Sequence, residues 1–474
     1  MKKTKIICTL GPAVDSVEAI SELLRRGMNG ARFNFSHGSH ESQLATLRRL
    51  EAAMADTGIA AAKILDTKGP EIRIRSFVDR AVMLEDGAEF TLCTEDVPGT
   101  PEQVSVTYAN LAAELHPGSP VLLDDGLVRM EVLRIEGSRI VCTVKKGGRL
   151  SNSKSINLPG TFIQLPALTE KDRQDLAFAV AHDFDYIAAS FVRSAADVRE
   201  LRSTLDALGG KRIRIISKIE NQQGVDNMDE ILALSDGIMV ARGDLGVEIP
   251  AARVPLVQKK LISVCRNCGK LGIVATQMLD SMIHNPVPTR AEVSDVANAV
   301  FDNASCVMLS GETANGEYPL ESLDTMREII EEAERSVDYW ADFAGSHRSV
   351  LTDNNPVTDA VTHSCCVTAM DLSAKAIVTA TSSGYTAQMV GRFRPGCTIL
   401  ALTPDRKTVQ RLALAWGVQA QLCEDVRSTD AMFRMCANAA AALPEVQKGD
   451  MVVLVAGVPI GVTGSTNLMK AQRL

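Results

Sequence analysis

The stretch Arg214-Ile215-Ile216-Ser217-Lys218-Ile219-Glu220-Asn221-Gln222-Gln223-Gly224-Val225 carries an apolar run that ends in two opposite charges, two residues apart. Read as a strand, that spacing puts Lys218 and Glu220 on one face. A lysine beside a carboxylate at the mouth of a buried strand is costly unless something anionic or metallic sits with them. Phosphoryl transfer needs such a pair: one cation on the moving group and one carboxylate that holds Mg2+. A plain ion pair is the other reading of the same residues.

The pattern recurs along the chain. Short apolar runs at 5–9, 30–35, 62–66, 186–190, 213–218, 237–241, 272–276 and 306–309 read as strands. Helical periodicity lies between them, as at 39–56, 170–182, 255–271 and 290–302. Eight β-α units predict a (β/α)8 TIM barrel. Polar residues close the runs: Arg32, Asn34 and Ser36; Asp66 and Thr67; Lys218 and Glu220; Arg242, Gly243 and Asp244; Thr276 and Gln277; Ser310, Gly311 and Glu312. All fall at C-terminal strand ends, where such a barrel builds its active site.

The spacing breaks once. Between the third and fourth runs come short alternating segments and the turn pairs Asp86-Gly87, Pro98-Gly99, Pro117-Gly118 and Asp125-Gly126, so a small all-β domain is expected inside a barrel loop. A polar, helix-poor linker follows the barrel over 345–356, and a second α/β unit has strands near 376–380, 399–403 and 452–456. The expected boundaries are barrel 1–69, inserted β domain 70–166, barrel 167–340 and C-terminal α/β domain 356–474.

Bulk composition narrows the function. The 474 residues are 46% hydrophobic and 23% charged, an ordinary globular balance with ample core. A net charge of −8 speaks against nucleic acid and anionic membrane surfaces as partners. No targeting segment or membrane span is expected, and the eleven scattered cysteines fit reduced thiols in a cytoplasm. Cys265 and Cys268 form a lone C-x-x-C within a helical stretch, without a second pair at zinc spacing.

Seven stretches together carry a family resemblance. They are Thr4-Lys5-Ile6-Ile7-Cys8-Thr9-Leu10-Gly11-Pro12, Ala31-Arg32-Phe33-Asn34-Phe35-Ser36-His37-Gly38, Asp66-Thr67-Lys68-Gly69-Pro70-Glu71-Ile72-Arg73, the Lys218 stretch, Met239-Val240-Ala241-Arg242-Gly243-Asp244-Leu245-Gly246, Ala275-Thr276-Gln277-Met278-Leu279 and Leu309-Ser310-Gly311-Glu312-Thr313-Ala314. Jointly they resemble the pyruvate kinases end to end. The resemblance implies a barrel with an inserted small β-barrel lid and a C-terminal regulatory domain. It implies transfer of phosphate from phosphoenolpyruvate to ADP, giving pyruvate and ATP, and a homotetramer in the cytoplasm.

The family's residue roles fall on matching positions. Glu220 and Asp244 would hold Mg2+ or Mn2+, and Lys218 would face the transferring phosphoryl group. Arg32 and Arg73 would clamp phosphates, a bidentate task that suits arginine. Gly243, Asp244 and Thr276 would hold the substrate carboxylate, and Thr276, with Ser310 and Glu312 nearby, would serve protonation of the enolate. A threonine hydroxyl is a weak acid, so a water chain is the expected ultimate donor. Asn34, Ser36, Asp66 and Thr67 match a K+ site, and Asn34, His37, Arg73 and Lys154 match nucleotide contacts. Thr381, Ser382, Ser383, Gly384 and Thr386 resemble an effector loop that cradles a phosphate; Tyr385 stands where many members carry Lys or Arg. Thr463-Gly464-Ser465-Thr466-Asn467 matches the domain's closing turn, and the stop at Leu474 leads to the expectation that no phosphohistidine-type domain follows.

Other readings stand beside these. Asn34 and Ser36 also suit a helix cap, His37 a turn, and Asp124-Asp125-Gly126 a β-turn at the tip of the inserted domain. A metal-dependent carbon–carbon lyase acting on 2-keto acids would use a similar Glu/Asp pair, but the inserted domain and Lys218 argue against it. A metabolite sensor without catalysis is a third reading, opposed by intact Lys218, Glu220, Asp244 and Thr276.

Overall fold

The computed structural model describes residues 2–345, 355–460 and 464–474. Eight parallel strands close into a barrel: β1 (Lys5–Thr9), β2 (Gly30–Asn34), β3 (Ala62–Asp66), β4 (Tyr186–Ala189), β5 (Arg214–Ile219), β6 (Gly237–Ala241), β7 (Leu271–Ala275) and β8 (Cys306–Leu309). Each strand pairs with its neighbours in sequence, and β1 closes the ring by pairing with β2 and β8. Four strands occupy the expected ranges; two others shift by one residue at one end, and β5 and β7 by one residue at both ends. The shift has a local cause at β7: Thr276 has φ +67°, outside the β region, so it cannot continue the ladder.

Polar signals place the barrel helices. Ser39, Thr169, Ser194 and Thr289 each cap a helix through reciprocal capping boxes with Ser42, Asp172, Asp197 and Glu292. Alternate strand residues then face inward and outward. Ile7, Ile64, Ile216, Met239 and Ile273 fill the barrel interior, while Ile6, Leu65, Ile215 and Val240 pack in the outer core with the helices.

The expected all-β insert between β3 and β4 is mostly β but carries one short helix, Leu111–Glu114, and the barrel helix Glu170–Ala181 follows it before β4. The insert forms a six-stranded sheet in the order Ile156–Asn157, Pro120–Leu123, Val128–Glu136, Arg139–Lys146, Glu89–Cys93 and Gln103–Ser105, with a two-stranded sheet of Gly148–Ser151 and Ala81–Leu84. One core joins them, with Phe90, Val121, Ile140 and Leu150 fully buried. Asn157 Nδ2 donates to Glu248 Oε1 at 3.0 Å, and Arg193 donates to the Ile163 and Leu165 carbonyls at 3.1 and 2.7 Å. These contacts hold the insert over the C-terminal ends of the barrel strands.

The C-terminal unit is a five-stranded sheet, Val418–Leu422, Thr398–Thr403, Ala376–Ala380, Met451–Gly457 and Thr466–Arg473, with only the last strand antiparallel. It seals the opposite end of the barrel. Leu414 enters the inner barrel core, Lys5 Nζ donates to the Val418 carbonyl at 2.8 Å, and Tyr186 Oη donates to the Arg411 carbonyl at 3.0 Å. The linker expected over 345–356 lies for the most part outside the described residues, as does Thr463 of the closing turn. All eleven cysteines are free, and among the described residues no helix is long and apolar enough to cross a membrane. Cys265 and Cys268 sit on and just after the helix Val254–Asn267, and burial raises both thiols.

Candidate active site

The strand β5 delivers Lys218 to the barrel mouth, and the chain just beyond it delivers Glu220. Lys218 Nζ stands 3.0 Å from Glu220 Oε1, 3.1 Å from Asp66 Oδ1 and 2.8 Å from Ser190 Oγ. Asp66, at the end of β3, also accepts from Arg32 Nε at 2.6 Å, and the Arg32 guanidinium reaches Thr9 Oγ1 at 3.0 Å. Both carboxylates are 1% exposed. Three strand ends therefore converge on one buried charge cluster.

Charge does not balance there. Lys218 and Arg32 face three carboxylates, Asp66, Glu220 and Asp244, with Asp125 of the insert and Glu71 also acting on Asp244. Burial opposes ionisation of Asp66, but Arg32 and Lys218 outweigh it and hold the carboxyl below its ordinary range. Burial would lower the Lys218 ammonium, yet the facing carboxylates hold it above its ordinary value. Glu220 is pushed up to about 7 by burial, with Asp244 adding repulsion, although Lys218 and the Phe191 amide, at 2.5 Å from Oε2, favour the charged form. Burial raises Asp244 too. A plain ion pair would not leave two carboxylates short of positive charge. Two hard-oxygen ligands on a cleft suit a divalent ion that keeps water or substrate oxygens at its other positions. A cleft of about 280 Å³ between the insert and the barrel is lined by Glu220, Asp244, Glu71 and Arg193. Among the described residues no group of three or more His, Cys, Asp or Glu is placed to hold a metal by itself.

The second cluster centres on Thr276. Thr276 and Gln277 have φ of +67° and +54°, and a left-handed β-branched residue is strained. The Gly243 amide donates to Thr276 Oγ1 at 3.1 Å. Ser310 N donates to Glu312 Oε2 at 2.7 Å, and Leu279 N to Glu312 Oε1 at 3.1 Å. Burial raises the Glu312 carboxyl. The Ser310 hydroxyl is buried without a partner among the described residues.

Other expected site residues are dispersed. Ser39, and not Asn34 or Ser36, caps the helix His40–Thr57; Asn34 Oδ1 instead accepts from Ser36 N at 3.1 Å. Asn34 registers beside Asp66 across β2 and β3, whereas Ser36 and His37 are exposed. Thr67 is buried, its hydroxyl accepting from Ser190 N at 3.1 Å. Arg73 lies where the chain enters the insert, bonded to Glu71 at 2.7 Å and to the Ser153 carbonyl at 2.6 Å. Lys154 pairs with Asp124 at 2.9 Å within the insert. The loop 381–386 lies in the C-terminal unit on a cavity of about 110 Å³; Thr381 Oγ1 accepts from Gly384 N at 3.0 Å, and Thr386 and Thr466 share a hydroxyl bond of 2.7 Å. Glu424 and Asp425 line that cavity, and no Lys or Arg does among the described residues.

Two contributors escaped the sequence reading. Ser190, at the end of a recognised run, bonds both Lys218 and the Thr67 carbonyl, the latter at 2.6 Å. Arg242 was visible at a strand end, but not its task of clamping the Thr276 turn. Only the positive φ values reveal that this turn needs a clamp.

Comparison with known proteins agrees with this geometry. Residues 1–323 match the family model described as pyruvate kinase, barrel domain, and residues 359–471 that described as pyruvate kinase, alpha/beta domain. The pyruvate kinase of Geobacillus stearothermophilus is 48% identical over 478 residues, covering 99% of this chain and 80% of that protein. That of Clostridium acetobutylicum is 45% identical over 473 residues, covering 100% and 99%. A crystal structure of a pyruvate kinase from Cryptosporidium parvum superposes with a TM-score of 0.94 at 39% identity, covering 100% of this chain and 96% of that one. Matched by both family models and similar to these proteins from end to end, the chain belongs to the pyruvate kinase family.

Proposed function

We propose that the chain transfers the phosphoryl group of phosphoenolpyruvate to ADP at the mouth of the barrel. The observation that carries this reading is the Lys218 ammonium, buried between Asp66 and Glu220 beside Asp244, whose carboxyl is raised by burial. In the transfer, the bond from phosphorus to the enol oxygen breaks and a bond to a terminal β-phosphate oxygen of ADP forms. Lys218 and Arg32 present positive charge to the moving group, and Asp66 fixes both. Glu220 and Asp244 would hold Mg2+ or Mn2+, which when bound would supply the missing positive charge for the transferring phosphate. The insert covers the cleft, and Arg73 and Lys154 lie on it within reach of a nucleotide once their present partners are released.

The enolate left behind needs a proton on carbon. Thr276 orients the substrate carboxylate together with the Gly243 and Asp244 amides. The unpartnered, buried Ser310 hydroxyl and Glu312 would support a water-borne proton. Asn34, Ser36, Asp66 and Thr67 would serve K+ as hard oxygen donors. We further infer a cytoplasmic homotetramer; a monomeric mass by light scattering at micromolar concentration would count against it.

Lys218→Met tests the division of labour. It should abolish ATP formation while the exchange of pyruvate methyl protons into deuterated water persists. Loss of both to the same degree, with folding and metal binding intact, would overturn the assignment of Lys218 to the phosphoryl group.

A further inference from the structure

The seam between the barrel and the C-terminal unit holds a second concentration of charge, far from the barrel mouth. A small cavity of about 20 Å³ is lined there by Arg266 and Lys270 of the barrel and by Arg392 and Arg394 of the C-terminal unit, with Ser305 and Gln388. No Asp or Glu lines it among the described residues. The volume is enough for one water-sized occupant.

Arg394 is buried, 6% exposed. Its terminal nitrogens donate to the Gly391 and Asn303 carbonyls, each at 2.8 Å, and one lies 3.4 Å from Ser305 Oγ. Its guanidinium stacks 4.5 Å from the Trp416 ring centroid. Its Nε has no acceptor, and no carboxylate pairs with it among the described residues. Burial, and then Arg266, push this guanidinium down to about 9, against the opposing pull of Tyr339, Cys306 and Glu334. The Arg266 side chain makes no hydrogen bond or ion pair with the described residues, and Asp342 acts on it as a counter-charge. Lys270 donates to the Leu232 and Ala233 carbonyls at 2.5 and 3.1 Å, which are neutral acceptors. Arg392 spends its charge on Asp359 at 2.9 Å, outside the cavity lining.

Burying a cation without a counter-charge is costly, and burying several around one void is more so. We propose that this interdomain cavity binds one halide-sized monovalent anion, held by Arg394 and Arg266 in the positive field of Lys270. The anion joins residues of both units, so its binding stabilises their docking.

Chloride is the probe. The full chain is unfolded thermally at constant ionic strength while sodium chloride replaces sodium gluconate, whose anion is too large to enter. A saturable rise of a few degrees is expected. Arg394→Met and Arg266→Gln should each flatten the chloride dependence; if the first does not fold, the second, on a half-buried side chain, decides. Crystals soaked in sodium bromide should show an anomalous peak at hydrogen-bonding distance from Arg394 Nε. Identical unfolding curves in chloride and gluconate, a chloride effect kept in Arg266→Gln, or a bromide-free cavity would each overturn the proposal.

Discussion

Arg242 holds Thr276 by its main chain. Its Nε and a terminal nitrogen donate to the Thr276 carbonyl at 3.2 and 2.7 Å, and its other terminal nitrogen is anchored on Asp295 at 2.7 Å. The guanidinium also reaches the Ala275 and Gln277 carbonyls, at 3.2 and 3.3 Å, so it spans the strained turn. A fork of donors can do this; a single ammonium cannot. Arg242→Lys should therefore lower kcat by about 10- to 100-fold, as misplacement of a reacting group does, with a smaller change in KM. The pH profile of kcat should keep its shape. An unchanged kcat would show that the turn holds itself.

Glu220→Gln would remove one of the two proposed metal ligands. Changes around metal ligands already cost about 10- to 100-fold in affinity, so loss of a ligand should cost no less. Titration of Mn2+ followed by calorimetry reads this directly. Metal-free Glu220→Gln should melt no lower than the metal-free parent, because Lys218 keeps Asp66 and one uncompensated carboxylate is gone. A clear loss of stability would mean that the Lys218–Glu220 pair is structural first.

K+ should activate. By family resemblance, Glu71 stands where potassium-independent members tend to carry a lysine, whose ammonium replaces the ion. Here the acid is kept and is bonded to Arg73 at 2.7 Å. Initial rates in potassium chloride should exceed those in tetramethylammonium chloride at equal ionic strength. Equal rates would refute the site built on Asn34, Ser36, Asp66 and Thr67.

Lys5 makes stability rise with alkalinity. Burial lowers its ammonium to about 8 from 10.5, so between those values the unfolded chain holds more protons than the folded one. Stability from this group is therefore least below pH 8 and grows as pH climbs toward 10.5. Against Lys5→Met, the parent should gain about 2 to 3 kcal/mol between pH 7 and pH 10 in chemical unfolding. A difference independent of pH would show that Lys5 is solvated at the seam.

Loop 381–386 should take no more than a single phosphate group. Glu424 and Asp425 line its cavity, and Arg392 is committed to Asp359 at 2.9 Å. At subsaturating phosphoenolpyruvate, fructose 1,6-bisphosphate should activate no better than a sugar monophosphate or inorganic phosphate. Strong activation by the bisphosphate alone, kept in Tyr385→Phe, would reverse this reading.

Much was legible in the sequence because it rests on local rules. Apolar runs of strand length, capping residues such as Ser39 and Thr289, and polar residues at strand ends repeat with the barrel's own period, and together they determined the fold class. The spacing of Lys218 and Glu220 placed them on one face, and they meet at 3.0 Å. Tertiary structure decided what local rules cannot reach. Ser190 joins Lys218 because β4 and β5 are neighbours in the ring. Asp66 serves Arg32 and Lys218 only because three strands converge, and the charge deficit at Glu220 and Asp244 exists only once water has been excluded. The strain at Thr276 and its clamp by Arg242 lie in backbone torsions, and the cationic seam around Arg394 in the docking of two units. Sequence spacing carries periodicity, whereas burial, torsion and convergence depend on residues brought together from distant parts of the chain.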